Sequence, residues 1–174
     1  MLSHNIGKGY SSQVFRGRND VTGTIYSSLD ETVAIKVIDM KMIKGEVHKN
    51  LLASEIDVLK MLKNSENIIE VYDIYNTKNN TYIITELCDG GDLSKLISSR
   101  KQIPETEAIS IMNEVLNGYA GIYSRGIIHR DLKPANIFLR NNHIKIADFG
   151  FAMKQSDCKK TSSYNVGSPV YMPP

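Results

Sequence analysis

The sequence predicts an α+β fold in two lobes, a β-rich first lobe with one helix and a helical second lobe. Short β-branched segments separated by turn residues dominate residues 1–88. Helical spacing of apolar residues becomes dominant in residues 89–174. Between them lies the polar, glycine-rich stretch Asp89–Asp92, which predicts a flexible joint and the lobe boundary.

The first lobe is expected to begin with strands. Ile6–Arg18 carries Val14 and Phe15 after a glycine cluster, and Thr32–Met40 is the clearest β-branched run. Turn residues between these runs are Asn19-Asp20 and Thr22-Gly23. Two further strands are predicted at Val71–Tyr75 and Tyr82–Leu87, joined by the polar turn 76–80.

Each lobe contains one clear amphipathic helix. In the first lobe, Gly45–Lys63 places Leu51, Glu55, Val58, Leu59 and Leu62 on one face. In the second, a helix with Pro104 in its first turn and Gly126 at its end has an apolar stripe of Ala108, Ile111, Met112, Val115, Tyr119 and Ile122. Short strands and the polar stretch Lys154–Tyr164 follow.

Composition excludes several classes of protein. A chain of 174 residues with 41% hydrophobic and 23% charged residues is typical of a globular protein. A formal net charge of +2 predicts no nucleic-acid partner, and no apolar run is long enough to span a membrane. Cys88 and Cys158 are too few for a disulfide framework, which favours a cytoplasmic or nuclear location.

A short glycine motif is the first candidate for phosphate binding. Gly7, Gly9, Ser12 and Val14 follow the pattern G-x-G-x-x-S-x-V, and glycines allow backbone N–H groups to approach phosphate oxygens closely. Taken alone, this pattern is a weak signal, and an ordinary hairpin turn explains the same residues better.

Lys36 and Glu55 are candidate partners. Lys36 ends the run Val33-Ala34-Ile35-Lys36, where strand alternation places it on one face with Ala34. Glu55 lies on the apolar face of its helix, where an unpaired carboxylate is costly. Pairing would satisfy both charges, although an edge-strand lysine and a glutamate at the border of the stripe remain open alternatives.

Two further motifs decide between these alternatives. Residues 129–136 read His-Arg-Asp-Leu-Lys-Pro-Ala-Asn, and 148–150 read Asp-Phe-Gly. With Val-Ala-Ile-Lys and the glycine motif in the same order, the chain closely resembles the eukaryotic protein kinase family, over nearly its whole length. The lysine at position 133 and the run Gly167-Ser168-Pro169 resemble the serine/threonine subclass.

The resemblance implies transfer of the ATP γ-phosphoryl group to serine or threonine hydroxyls of protein substrates, with Mg²⁺ as the second cofactor. Asp131 would orient the acceptor hydroxyl, Lys133 would contact the transferred phosphate, and Lys36 would hold the other phosphates with Glu55 fixing it. Asn136 and Asp148 would bind Mg²⁺.

The resemblance also implies a nucleotide site. Its residues would be Ile6, Gly7, Gly9, Val14, Ala34, Lys36, Glu86, Cys88 and Phe138, with Glu86 and Cys88 using backbone groups. Thr85 would guard the back of this pocket. Phe138 departs from the usual leucine, which puts the shape of the adenine pocket in doubt. His129 is expected to pack against Phe149 rather than act as a base.

Within the family, the nearest likeness is to autophagy-initiating kinases, through pieces such as Gly150-Phe151-Ala152.

A pseudokinase scaffold, a small-molecule kinase and an inactive fragment are the competing functions. The chain is expected to stop before the family's domain is complete, which leaves the activity of the isolated chain uncertain. Regulatory partners cannot be inferred.

An activating phosphate is expected on Thr161, Ser162 or Ser163, with Tyr164 nearby.

Overall fold

A computed structural model describes residues 2–9, 11–18, 32–158 and 166–172 of the chain. It confirms the α+β fold. Two compact units can be distinguished, one formed by residues 1–48 and 70–87 and the other by residues 49–69 and 88–174. The expected turns at Asn19-Asp20 and Thr22-Gly23 lie outside the described residues.

The first unit is a five-stranded antiparallel sheet in the order β1-β2-β3-β5-β4. Its strands are β1 Leu2–Lys8, β2 Ser12–Arg18, β3 Thr32–Asp39, β4 Val71–Asn76 and β5 Asn80–Glu86. The loop between β4 and β5 is shorter than expected, because Thr77 N–H donates to the Asn80 carbonyl at 2.8 Å and β5 starts there.

Helix α1 runs over Gly45–Met61 and buries Leu52, Glu55, Val58 and Leu59. The buried face of α1 begins at Leu52 and not at Leu51, where the sequence predicted it, because Leu51 is only half-buried. Both leucines lie three or four residues before Glu55, so spacing alone did not separate them.

The second unit also contains two helices, α2 Leu93–Arg100 and α3 Glu105–Ser124. Its short strands pair as β6 Ile127–Ile128 with β9 Met153–Lys154, and β7 Ile137–Arg140 with β8 His143–Ile146. The sequence did not predict α2. Asp92 begins it, because its carboxylate accepts a hydrogen bond from the Lys95 backbone N–H at 2.9 Å.

The stretch expected to be a flexible joint is attached to β7. Gly90 N–H donates to the Leu139 carbonyl at 3.0 Å, and Leu139 N–H donates to the Gly91 carbonyl at 2.9 Å. A Cβ on Gly90 would lie 2.8 Å from the Leu139 Cβ, so a glycine is needed for this close approach. These bonds fix the start of α2 beside the β7–β8 hairpin.

Helix α3 buries Val115, Gly118 and Ile122, but part of the expected stripe is exposed. Met112 and Tyr119 keep 52% and 40% of their surface accessible. Periodicity marks which face is apolar, but it does not say how much of that face neighbouring elements cover. Among the described residues, no helix is long and apolar enough to cross a membrane.

The ends of α3 follow local backbone chemistry. Pro104 is the residue before the helix, with φ −54° and ψ 142°, rather than part of its first turn. Gly126 adopts φ +65°, and its N–H donates to the Tyr123 carbonyl at 2.9 Å. A left-handed glycine after the last turn is a common helix stop, which confirms the expected end.

Candidate functional site

The loop His129–Asn136, called the H-R-D loop below, connects β6 to β7. It ends in a 3₁₀ turn over Pro134–Asn136. The Asn136 carbonyl accepts a hydrogen bond from Ala147 N–H at 2.9 Å, which brings the end of the loop beside the residue that precedes Asp148. Two of the motifs found in the sequence are therefore adjacent.

The Asp131 carboxylate is the centre of this loop. It is buried, and its Oδ2 accepts hydrogen bonds from Lys133 Nζ at 2.8 Å and Asn136 Nδ2 at 2.9 Å. Burial raises the pKa of Asp131, but Lys133, the Ser168 hydroxyl and Asn136 outweigh burial and hold that pKa below its usual range. Asp131 is therefore ionised at neutral pH.

The second carboxylate oxygen has a different environment. Asp131 Oδ1 is buried and has no hydrogen-bond partner among the described residues. Buried polar atoms are normally satisfied, so an exception indicates strain, a ligand or a functional role. The resemblance places the acceptor hydroxyl at this carboxylate, and a hydroxyl is a suitable donor for Oδ1.

Asn136 and Asp148 offer oxygen atoms of the kind that Mg²⁺ prefers. Asn136 uses its Nδ2 to donate to Asp131, while its Oδ1 accepts no hydrogen bond from any described residue. Asp148 is exposed and adopts φ +61°, an uncommon conformation for a residue other than glycine. Both residues thus fit a Mg²⁺ site completed by phosphate oxygens.

No three His, Cys, Asp or Glu side chains within the described residues form a metal-binding group. This does not argue against Mg²⁺, because Mg²⁺ is usually bound through one or two carboxylates with water and phosphate. A Cβ built on Gly150 would lie 3.4 Å from Asp148 Oδ1 and 3.8 Å from Glu55 Oε2. The two carboxylates therefore approach the same glycine.

His129 has a structural environment, as expected. Its ring packs against Phe149 with centroids 4.8 Å apart, and both side chains are buried. Nε2 lies 3.1 Å from the Ala147 carbonyl and Nδ1 lies 3.3 Å from Asp131 N–H, so the proton is assigned to Nε2. Burial lowers the pKa of His129, which favours the neutral ring.

Ser168 is a site residue that the sequence reasoning missed. Its Oγ lies 2.7 Å from Lys133 Nζ, the same ammonium that contacts Asp131. Gly167 precedes it with φ +111°, and an added Cβ would lie 2.5 Å from the Arg130 carbonyl. The Gly-Ser-Pro run was noted only as a subclass marker, because no local pattern in the sequence reveals the contact of Ser168 with Lys133.

Part of the Arg130 guanidinium group is available to bind an anion. Its Nε donates to the Phe151 carbonyl at 2.6 Å, while its terminal nitrogens have no hydrogen bond or ion pair to described residues. Burial lowers the pKa of Arg130, but an arginine stays protonated in proteins. The candidate phosphate acceptors, residues 161–164, lie outside the described part of the chain.

In the first unit, strand register aligns the candidate nucleotide residues. Ala34 and Lys36 share one face of β3, as strand alternation predicted, and Val14 lies on the same face because it pairs with Lys36 across β2 and β3. The glycine motif forms a hairpin, in which Gly9 N–H donates to the Ser12 carbonyl at 2.8 Å. Lys36 and Glu55 belong to different units, so their pairing stays a prediction.

The remaining candidate nucleotide residues lie on three elements. Ile6 is exposed on β1, Gly7 pairs with Val14, and Phe138 is half-buried on β7. Glu86 is buried, with its N–H donating to the Glu70 carbonyl at 3.0 Å and its side chain accepting from Glu70 N–H at 2.8 Å. Cys88 is a half-buried free cysteine.

Comparison with known proteins gives a consistent result. The family model described as "Protein kinase domain" matches residues 1–174. The chain is 37% identical to "Serine/threonine-protein kinase atg1" of Dictyostelium discoideum, over 100% of this chain and 26% of that protein. It is 35% identical to human "Serine/threonine-protein kinase ULK1", over 97% of this chain and 16% of that protein. Human "Serine/threonine-protein kinase ULK3" is also 35% identical, over 100% and 36%.

Proposed function

The chain belongs to the protein kinase domain family, and from that premise we propose that it transfers the γ-phosphoryl group of ATP to serine and threonine hydroxyls of proteins. Its similarity to proteins named as serine/threonine kinases supports the acceptor class. The chain spans only 16% to 36% of the length of these relatives, so the activity of the whole protein belongs to the proposal.

One observation carries the proposal, the environment of Asp131. Its Oδ2 is held by Lys133 and Asn136, while Oδ1 is buried without a partner among the described residues. An ionised carboxylate fixed in this way can accept a hydrogen bond from an acceptor hydroxyl and take its proton during transfer. Phosphoryl transfer depends mainly on such positioning and on neutralisation of charge.

Lys133 and Lys36 would supply positive charge. Lys133 Nζ is held between Asp131 and Ser168, which favours a fixed direction for its charge. Lys36 would contact the ATP phosphates from the sheet, with Glu55 as its partner. The nucleotide itself would be held by the residues that the resemblance assigned: Ile6, Gly7, Gly9, Val14, Ala34, Glu86, Cys88 and Phe138.

Asn136 and Asp148 would hold Mg²⁺, which when bound neutralises charge on the phosphate oxygens. The unused Oδ1 of Asn136 supports this assignment, since its Nδ2 group is already committed to Asp131. Proteins with serine or threonine acceptors would be the substrates, and a cytoplasmic location stays a prediction.

The test is phosphate transfer from radiolabelled ATP to three peptide libraries, whose only hydroxyl residue is serine, threonine or tyrosine. We expect transfer to the first two, and a loss of about 10²–10⁴-fold in the variant Asp131→Asn. Asp57→Asn is a matched control, because Asp57 is exposed on α1. Near wild-type transfer by Asp131→Asn, or transfer confined to tyrosine, would contradict the proposal.

A further inference from the structure

Helix α1 is attached to the chain just after the Asp-Phe-Gly run at residues 148–150, called the D-F-G motif below. Ser54 Oγ donates a hydrogen bond to the Ala152 carbonyl at 2.9 Å, which joins residues 98 positions apart. Ser54 is half-buried, Ala152 is buried, and both belong to the second unit. None of the sequence motifs gives Ser54 a role, so this bond is an addition to the site described above.

The direction of this hydrogen bond is uncommon for a serine inside a helix. Such a hydroxyl generally donates to a carbonyl of the preceding turn or points to solvent. Ser99 on α2 does the former, since its Oγ donates to the Leu96 carbonyl at 2.9 Å. Ser54 donates to another element instead, so its hydroxyl links two parts of the fold.

The acceptor end of the bond is held by backbone pairing. Ala152 N–H donates to the Phe149 carbonyl at 2.9 Å, and the following residue, Met153, pairs with Ile128 between β9 and β6. The donor end is a single rotatable hydroxyl. Because the acceptor is fixed and a hydrogen bond needs a short distance, the bond forms only when this side of α1 faces the chain after the D-F-G motif.

Two carboxylates lie beside this attachment. Glu55 follows Ser54 directly and is buried, and its Oε2 would lie 3.8 Å from a Cβ on Gly150. Asp148 Oδ1 would lie 3.4 Å from the same Cβ. Helix α1 therefore approaches the D-F-G motif at two consecutive residues, one through a hydrogen bond and the other through its carboxylate.

We propose that Ser54 is a positioning residue, whose hydroxyl holds α1 in the rotation that keeps the Glu55 carboxylate beside the D-F-G motif. Ser54 would act through Glu55 and not on the reactants. The inference rests on the proposed function, because the direction of Glu55 matters to the reaction only if Glu55 fixes Lys36 at the ATP phosphates. Without the hydroxyl, the helix can form with the same backbone, but it loses the bond that sets its rotation.

The first arm of the test is amide hydrogen exchange of the chain without nucleotide, which does not depend on catalysis. Ser54→Ala should raise exchange about three- to tenfold in two segments at once, residues 49–61 and residues 150–154. The reason is that local opening of either segment breaks this hydrogen bond in the wild type and has no such bond to break in the variant.

Three variants separate the hydrogen bond from the volume of the side chain. Ser54→Thr keeps the hydroxyl and should exchange like the wild type. Ser54→Cys keeps a side chain of similar shape but donates only weakly, so it should resemble Ser54→Ala. Ser99→Ala is the matched control, because Ser99 bonds within its own helix, and it should leave both segments unchanged. Melting curves would verify that each variant is folded.

The second arm is steady-state phosphorylation of one serine peptide, with ATP and the peptide varied in turn. Ser54→Ala should lower kcat/KM for ATP about three- to tenfold and change the KM of the peptide less than about twofold, because Glu55 is proposed to act on the nucleotide side. In the Glu55→Gln background, Ser54→Ala should add less than about twofold, since a residue that acts through Glu55 loses its effect when Glu55 is replaced.

Three results would overturn the proposal. Unchanged exchange of residues 150–154 in Ser54→Ala would show that the bond does not couple the two elements. Fully additive losses in the double variant would show that the hydroxyl acts independently of Glu55. Equal losses in Ser54→Ala and Ser54→Thr would assign the effect to packing. Failure of the proposed function has a different signature, the expected exchange changes in a chain that phosphorylates no serine or threonine peptide, which would support the attachment of α1 and overturn the reaction.

Discussion

In the five-stranded sheet, Val14 and Lys36 lie side by side because the backbone register aligns them. In the H-R-D loop, Asp131 and Asn136 lie together because their own side chains bond to each other at 2.9 Å. In the sheet, formation of the fold depends little on which side chain occupies each position. In the H-R-D loop, the side-chain atoms with proposed roles in the chemistry also hold the loop together. Substitutions in the two regions should therefore have different consequences for stability.

The largest expected effect concerns activity, and it should be similar for a residue of the sheet and for Asp148, which follows the residue bonded to the end of the H-R-D loop. Lys36→Met removes the charge proposed to hold phosphates, and Asp148→Ala removes a proposed Mg²⁺ ligand. Each should lower kcat/KM for peptide phosphorylation by roughly 10³-fold, since in its proposed role each would contribute several kcal/mol of charge stabilisation. Lys63→Met and Asp57→Ala, which change exposed residues of the same types, are the controls. Near wild-type activity of Asp148→Ala would show that the metal assignment is wrong.

The second prediction separates the two regions by stability. Asn136→Ala should lower the free energy of unfolding by about 1–3 kcal/mol, because the buried Asp131 carboxylate and carbonyl both lose a donor. Urea denaturation followed by circular dichroism measures this change. Gln13→Ala should change it less, because Gln13 is exposed on β2 and the backbone pairing of that strand does not depend on its side chain.

Asn113→Ala is the matched control, since Asn113 is exposed on α3, and it should stay within about 0.5 kcal/mol of the wild type. If Asn136→Ala unfolds at the wild-type urea concentration while Gln13→Ala is strongly destabilised, the contrast between the regions is wrong.

The same contrast explains how much could be predicted from the sequence. The shared sheet face of Ala34 and Lys36 was predictable, because alternation within one strand fixes it whatever the neighbours are, whereas the place of Val14 beside them depends on the register between strands. The packing of His129 on Phe149 was expected only through the family resemblance. The metal and nucleotide roles remain predictions, because the chemistry they require depends on groups that the chain itself does not contain.

Features that depend on the surroundings of an element were missed. Helix α2 is only eight residues long, and its one clear signal was Asp92, whose capping role needs the geometry of the following turn. The exposure of Met112 and Tyr119 depends on what lies beside α3, which periodicity does not report. The contact of Ser168 with Lys133 joins residues 35 positions apart in the sequence, so no local pattern reveals it.

The third prediction concerns regulation of the H-R-D loop. Arg130 has terminal nitrogens without partners among the described residues, and a phosphate on Thr161, Ser162 or Ser163 could bind them bidentately. Phosphatase treatment of active protein should lower kcat about tenfold or more, as expected for loss of hydrogen bonds to charged groups.

Mass spectrometry of the active protein would identify the modified residue, and Arg130→Gln should remove the response to phosphatase. Ser99→Ala is a control hydroxyl, exposed at the end of α2. Full activity without phosphate anywhere from Thr161 to Tyr164 would contradict this prediction.

The smallest expected effect tests whether Ser168 positions the Lys133 ammonium. Ser168→Ala removes a hydroxyl 2.7 Å from Lys133 Nζ, but Asp131 still holds that lysine at 2.8 Å. Loss of one of two partners should cost about 0.5–1.5 kcal/mol, which is a decrease in kcat of up to about tenfold. Ser168→Thr keeps the hydroxyl and should retain most of the activity.

The pH profile distinguishes this positioning role from a merely structural one. The Ser168 hydroxyl lowers the pKa of Asp131, so its removal should raise that pKa towards the usual range. Because the proposed base must be ionised, the acidic limb of the kcat/KM profile should then move to higher pH in Ser168→Ala and stay in place in Ser168→Thr. A uniform decrease in kcat/KM with an unchanged acidic limb would mean that Ser168 acts only on loop stability. A shift in both variants would assign the effect to the size of the side chain instead of to its hydroxyl.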